Sequence, residues 1–302
     1  MTSSLPLIAL PHRSVLQLSG AEAPTFLQGL ITASTRHLAP NRAIYSAMLS
    51  PQGKMQAEFF VHDAGNDTLL IDVDSARAAT LLGMLKIYKL RAKITLADVS
   101  SEWQSYALLG TTLDDARAQL PESAIISADP RTPLFASPAL GLRVLLPASE
   151  TAQASGDFGT YETLRIAAGV MQGAEDYTPE RNFALELGLD IQGAIDFAKG
   201  CYVGQEVTNR SKHRGTLRKV LGRVDAVDAS ATLPASGTEI LADGKVIGEL
   251  RSSYGAHGLA QLRIEETQAA IAAGASITAG EIALHAQLPD AVLQAAHAAE
   301  SN

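Results

Sequence analysis

The last third of the chain restricts its own architecture most severely. Apolar residues there come in short runs: Val220 to Val227, Thr238 to Leu241, Val246 to Leu250, Leu259 to Ile264 and Ser276 to His285. Each run has the length of a strand, and Asp243-Gly244 is a dipeptide that favours the tight hairpin turn. Short strands at regular spacing bury their apolar faces only by closing on one another, so a small β-barrel is expected, with a boundary near Leu217.

The first half alternates differently. Pro6 and Pro11 argue against a long helix over Leu5 to Leu18, and Ser19-Gly20 introduces a short helix, Ala21 to Leu30, with Phe26, Leu27 and Leu30 on one face. Ile44 to Met48 reads as a strand and Ser50-Pro51-Gln52-Gly53 as a turn with proline at its second position. Met55 to His62 and Thr68 to Val73 are strands joined through Gly65-Asn66-Asp67. Ser75 to Leu90 is helical, with Leu81, Leu82, Leu85 and Tyr88 as its apolar stripe. Strands follow at Lys93 to Asp98 and Tyr106 to Leu109. Then come a helix at Leu113 to Leu120, capped by Thr111 or Thr112, and strands at Ala124 to Ser127 and Leu142 to Leu146. Helices over strands in this order give an α+β fold with a ferredoxin-like layer. Connections are expected at Ser127 to Pro138 and Ala148 to Gly159. Thr160 is expected to cap a helix reaching Val170, and Pro179 to Leu187 to form another.

A chain of 302 residues has room for two or three domains. The formal net charge of -8 and an aromatic content of 5% argue against a nucleic-acid partner. A single cysteine excludes an intramolecular disulfide and fits a reducing compartment. No signal peptide or bilayer-length apolar run is visible, so a cytoplasmic monomer without a membrane partner is expected. The Ala-rich tail from Ala291 is expected to be disordered.

The chemistry concentrates in Ile195 to Lys219, I-D-F-A-K-G-C-Y-V-G-Q-E-V-T-N-R-S-K-H-R-G-T-L-R-K. Ile195 to Phe197 reads as a strand end and Gly204 to Asn209 as a helix start, whose free N–H groups attract polar ligands. Gly200 and Gly204 bracket Cys201 and allow close approach of a ligand. Lys199 precedes the thiol, and Arg210, Lys212, His213, Arg214, Arg218 and Lys219 follow it; cations favour thiolate. A lone cysteine is by default a small buried hydrophobe, and the glycines and cations are what set this one apart.

Lys199 to Glu206, K-G-C-Y-V-G-Q-E, resembles the signature of the YgfZ family of folate-binding proteins, which includes mitochondrial iron–sulfur assembly factors and is related to the glycine-cleavage T-protein. Other stretches are similar too: F-L-Q-G-L-I-T (Phe26 to Thr32), Y-S-A-M-L-S-P-Q-G-K (Tyr45 to Lys54), L-R-I-A-A-G (Leu164 to Gly169) and Pro179-Glu180-Arg181-Asn182. The resemblance implies a three-domain ring around a cavity for tetrahydrofolate or a derivative. On that reading 1–45 plus 155–216 form the folate-binding domain, 46–150 the middle domain, 217–290 the barrel and 291–302 a tail. It implies a factor that assists iron–sulfur cluster assembly or repair, with client or assembly proteins as partners. Cys201 and Lys199 would act chemically. Gly200, Tyr202, Gly204, Gln205, Glu206 and Arg210 would meet the cofactor, with Glu175, Asp176 and Glu180 as acids for the pterin amide and amine.

Two departures sharpen this. The T-protein resemblance implies Asn-Asp where this chain has Ala33-Ser34, and a catalytic aspartate early in the middle-domain helix, where Ala76 to Leu82 holds no acid. Asp72 and Asp74 read as strand-end or cap residues. A missing acid removes its proton-transfer step, which disfavours aminomethyl transfer. The competing readings are a folate-dependent methyl- or aminomethyl-transferase, an RNA-interaction module in tRNA modification built on Lys212 to Lys219, and a Cys201–His213 hydrolase. One cysteine cannot hold a four-thiolate cluster, and the histidines show no metal-ligand spacing, so no resident metal is expected.

Overall fold

The structure is a computed structural model that describes residues 5–150, 154–214 and 217–294. In chain order, β1 (Leu7–Ala9) and β2 (Arg13–Ser19) precede α1 (Ala23–Gln28). Next come β3 (Ile44–Leu49), β4 (Met55–Asp63), β5 (Thr68–Asp74) and α2 (Ser75–Lys89). β6 (Thr95–Asp98), β7 (Trp103–Leu108), α3 (Leu113–Gln119), β8 (Ile125–Ala128) and β9 (Leu142–Pro147) follow. α4 (Phe158–Ala167), α5 (Gly173–Asp176) and α6 (Gln205–Arg214) lead into β10 (Lys219–Ala226), β11 (Glu239–Ala242), β12 (Lys245–Tyr254) and β13 (His257–Arg263). α7 (Ile264–Ala273), β14 (Ile277–Ala279) and β15 (Ile282–Gln287) complete the series.

The strands make three units. One is a five-stranded antiparallel sheet in the order β3-β4-β5-β2-β6, another a four-stranded sheet β1-β7-β9-β8, and the third a closed barrel β10-β13-β12-β11-β14-β15. β2, from the N-terminal segment, pairs with β5 from Arg13 opposite Asp74 to Ser19 opposite Thr68.

Strands β3, β4 and β5 are buried on both faces, so that polar Gln56, Glu58, His62 and Asp72 are enclosed along with the apolar residues. Alternation still sorts the side chains. Ile44, Met48, Phe59, Val61, Ile71 and Val73 pack with Leu27 of α1 and Leu81 and Leu85 of α2. Tyr45, Ala47, Leu49 and Phe60 face the other way, onto Met171, Tyr177, Leu187, Tyr202 and the barrel residues Leu221 and Leu259. The barrel has its own core, built on Val220, Val224, Ile240, Leu250 and Leu262.

Charge fills the seam between the two sheets. Asp72 of β5 is fully buried and accepts from Arg13 Nε at 2.6 Å, Arg143 Nη2 at 2.5 Å and Ser105 Oγ at 3.0 Å. Arg13 also reaches Glu58 at 3.1 Å. Arg165 of α4 pairs with Glu162 at 2.6 Å and Asp176 at 3.1 Å, and donates to Ser252 Oγ of β12 at 3.0 Å, tying the barrel to the body. The arginine cations hold the Asp72 carboxyl well below its ordinary range despite burial, which opposes ionisation.

Several local expectations change. Asp157, not Thr160, caps α4, accepting from Gly159 N and Thr160 N. Thr112 caps α3. Pro179 to Leu187 holds only a 3-10 turn, Ala184–Leu187. Ile195 to Phe197 is not a strand; its backbone ties to Thr32 instead. The barrel contains α7, which the strand reading missed. Val292 and Leu293 of the supposed disordered tail pack against the barrel core, while 295–302 lie outside the described residues. Tyr88 leaves the α2 stripe and is exposed.

Candidate functional site

The cysteine motif is a strap held at two points. Its first anchor is Lys199, whose Nζ donates to Ile31 O at 2.6 Å and Ala33 O at 2.7 Å. The ammonium also lies 5.2 Å from the Tyr202 ring centre, and burial lowers its pKa to about 8. Residues 31–33 are themselves fixed to β3, with Thr32 N donating to Ala47 O at 2.9 Å and Ala33 N to Ser46 Oγ at 2.9 Å. Thr32 Oγ1 donates to Ala194 O at 2.6 Å, and Asp196 N returns to Thr32 O at 3.0 Å.

The second anchor is Tyr202 with Gly204. Tyr202 is buried in the apolar cluster, and desolvation pushes its hydroxyl up to about 12. Gly204 sits at φ +85, and a Cβ there would lie 2.7 Å from Ser50 O and 2.9 Å from Leu49 Cβ. Gly53 meets Val207 in the same way, at 3.0 Å. The Ser50-Pro51-Gln52-Gly53 turn and the start of α6 therefore interlock closely, Gly204 against the turn's backbone and Gly53 against the Val207 side chain, both at a positive φ that favours glycine. Gly200 has open space around it and a negative φ, so no such demand falls on it. Between the anchors the thiol of Cys201 is free and exposed.

The cations foreseen around the thiol engage other groups. Lys199 is tied to carbonyls, Lys212 donates to Asp190 at 2.6 Å, and Arg210 faces Glu206 at 4.0 Å. Arg218 and Lys219 line a separate depression with Arg263, Glu265 and Glu266. His213 is exposed, and Gly215 lies outside the described residues.

Directly before Lys199 the strap borders an open cavity of about 520 Å³. Ala33, Ser34, His37, Arg42 and Tyr45 line it from one part of the chain, and Asp196 and Phe197 from the strap. Tyr45 is 1% exposed, and its hydroxyl has no hydrogen-bond partner. Its ring stacks near Phe60 at 5.1 Å and lies 5.8 Å from the Arg131 guanidinium carbon, and burial raises its pKa. Glu58 Oε2 and the hydroxyl of Tyr177 are further buried oxygens without partners, and the Tyr177 hydroxyl is likewise raised by desolvation. Such groups are costly unless something completes them.

None of the expected cofactor residues lines this cavity. Gln205, Glu206 and Arg210 lie on α6, with Glu206 and Arg210 exposed. Asp176 is fully engaged by Arg165, Gln172 N at 2.7 Å and Ser252 N at 3.0 Å. Glu175 is exposed beside it; partial burial and the Asp176 charge raise its pKa. Glu180 is exposed at φ +60. Asp72 is the central buried anion rather than a strand-end residue, and Asp74 caps α2 by accepting from Ala76 N at 2.8 Å. Sequence reading missed Tyr45, His37, Arg42 and the pair Asp196-Phe197. The available signal was the small Ala33-Ser34 pair, which lines the cavity.

Comparison with known proteins agrees with this architecture. Residues 4–128 match the model of the GCVT N-terminal domain, and residues 222–294 that of the CAF17 C-terminal beta-barrel domain. The aminomethyltransferase T of the glycine cleavage system from Bartonella henselae superposes with a TM-score of 0.67 at 14% identity, over 94% of this chain and 85% of that one, a likeness of fold alone. Three relatives bear the name iron-sulfur cluster assembly factor IBA57 homolog, mitochondrial. The protein of Mycosarcoma maydis is 33% identical over 78% of this chain and 60% of its own length. That of Pyricularia oryzae is 35% identical over 70% and 55%, and that of Phaeosphaeria nodorum 31% over 85% and 70%. The chain thus spans little more than half the length of the first two relatives.

Proposed function

This chain belongs to the IBA57 family of iron–sulfur cluster assembly factors, and from that premise we propose that it binds a tetrahydrofolate beside the cysteine strap and aids cluster assembly or repair through Cys201. The observation that carries the folate reading is the pocket of about 520 Å³ beside the strap, lined by Arg42, Asp196 and Phe197 and large enough for a drug-sized ligand. The lining suits such a molecule. Phe197 offers aromatic surface, Asp196 an acceptor for amide and amine N–H groups, and Arg42 a cation for a carboxylate tail. Folate supplies one-carbon chemistry when bound; the protein side binds and orients it.

Cys201 acts at the surface, where a cluster in transit is reachable. A single cysteine leaves the remaining ligands to a client or assembly partner. Lys199 is a positioning residue in this scheme, since two of the three N–H donors of its ammonium are held by carbonyls. An aminomethyl-transferase reading fares worse, because Asp72 is locked between arginines and Asp74 caps a helix.

Calorimetric titration with tetrahydrofolate and 5-formyl-tetrahydrofolate tests the first part. One saturable site per chain is expected, with Asp196→Asn weakening it by roughly 3- to 10-fold, the worth of one hydrogen bond. No heat up to millimolar folate would refute the folate reading.

A further inference from the structure

The end of α2 presents a surface that folding does not explain. Ile87 is 73% exposed and Leu90 87% exposed, and Tyr88 stands between them. Three of the eight exposed large hydrophobics among the described residues fall within these four positions. Leu90 adopts φ 46 and ψ −107, the geometry that the first central residue of a II′ turn has and that favours glycine. A leucine there adds backbone strain without burying its side chain. Strain together with exposure points to use rather than to packing.

Charge surrounds this apolar tip. Lys86, Lys89, Arg91 and Lys93 fall within eight residues, and no acid occurs from Ser75 to Ala97, in a chain of net charge -8. The neighbouring carboxylate, Glu22, accepts from Lys93 N at 3.0 Å. The site also lies away from the cysteine. The Gly20 turn abuts Lys93, where Ser19 pairs with Thr68 and Thr95, whereas the strap interlocks with the Ser50–Gly53 turn at the other end of the same sheet.

We propose that Ile87 and Leu90, ringed by Lys86, Lys89, Arg91 and Lys93, form the docking tip for an iron–sulfur assembly or client protein whose surface offers an apolar depression rimmed by carboxylates. This rests on the assembly reading above. A convex apolar anchor within a ring of one sign fits a concave partner of the opposite sign. Glu22 at the rim and the acidic body disfavour a uniformly anionic bilayer as the occupant. Docking here leaves Cys201 uncovered at the far end of the sheet.

The test uses the full chain in cells lacking their own factor, reading the activity of an iron–sulfur enzyme. Leu90→Gly relieves the backbone and removes the anchor. It is expected to keep or raise the melting temperature and leave folate titration unchanged, yet lower enzyme activity at least fivefold. Leu90→Glu and the double change Lys86→Glu with Lys89→Glu should do the same, while Leu90→Met stays near the unchanged protein. Full activity of Leu90→Gly and Leu90→Glu would overturn the proposal while an inactive Cys201→Ala keeps the assembly reading. An active Cys201→Ala would sink that reading instead. Flotation of the protein with vesicles of phosphatidylcholine and 30% phosphatidylglycerol, lost in Leu90→Glu, would also overturn it in favour of a bilayer.

Discussion

Asp72 and Cys201 stand for two regions built in opposite ways. Around Asp72, side chains from β2, β5, β7 and β9, three of the four charged, meet out of water and use one another as solvent. Around Cys201, the polar side chains turn outward or bind backbone, and the thiol faces water. The first region holds the sheets together and keeps its charged groups out of solvent. The second contributes little to the fold beyond its anchors and leaves its one reactive atom available. Stability and chemistry are separated, and substitutions should separate in the same way.

The largest effect should come from Asp72→Asn, which leaves Arg143 without a carboxylate partner in the interior and Arg13 with Glu58 alone. Removing one partner of a buried pair typically costs about 3–5 kcal/mol. Urea unfolding should show it; a loss under 1 kcal/mol would mean that water reaches the seam.

Acid should weaken the same seam. Burial holds His62 at a pKa of about 4, against about 6.5 in an unfolded chain. The unfolded state therefore binds the extra proton first. The contribution of His62 is complete above pH 6.5 and is lost as pH falls from 6.5 towards 4, by about 3 kcal/mol in total. His12, lowered by burial and the neighbouring arginines, acts with the same sign, whereas Asp72 weakens only below the ordinary carboxylate range. Urea midpoints at pH 7, 6 and 5 should fall in sequence, and His62→Gln should flatten the trend.

The strap's anchors should show intermediate effects. Gly204→Ala places a methyl against Ser50 O at a positive φ, and a loss of about 2 kcal/mol is expected. Lys199→Met keeps the stem but removes two hydrogen bonds, for about 1–2 kcal/mol. Its distinguishing readout is faster amide exchange confined to the strap. Uniform exchange across the protein would instead mark Lys199 as part of the global core.

The same contrast governs what the sequence made legible. Strands, hairpins and the barrel were readable because alternation and turn residues are local; Asp243-Gly244 forms its turn between β11 and β12 as its chemistry dictates. The motif was readable because eight contiguous residues carry it. α7 escaped because its Ile264 start continues the apolar run of β13. The Asp72 cluster escaped because its arginines lie 59 and 71 residues away, and a charged residue read alone is assigned to the surface. The cavity escaped for the same reason: Tyr45, Arg42 and Asp196 converge only once the strap is laid on residues 31–33.

The smallest structural effect carries the largest functional one. Cys201→Ala removes an exposed thiol and should shift stability by less than about 0.5 kcal/mol. The decisive measurement is iron–sulfur enzyme activity in cells lacking their own factor, supplied with this chain or with Cys201→Ala at equal abundance and equal melting temperature. A role for Cys201 in cluster assembly requires that the unchanged chain restore activity and that Cys201→Ala not restore it. Equal restoration by both would contradict it.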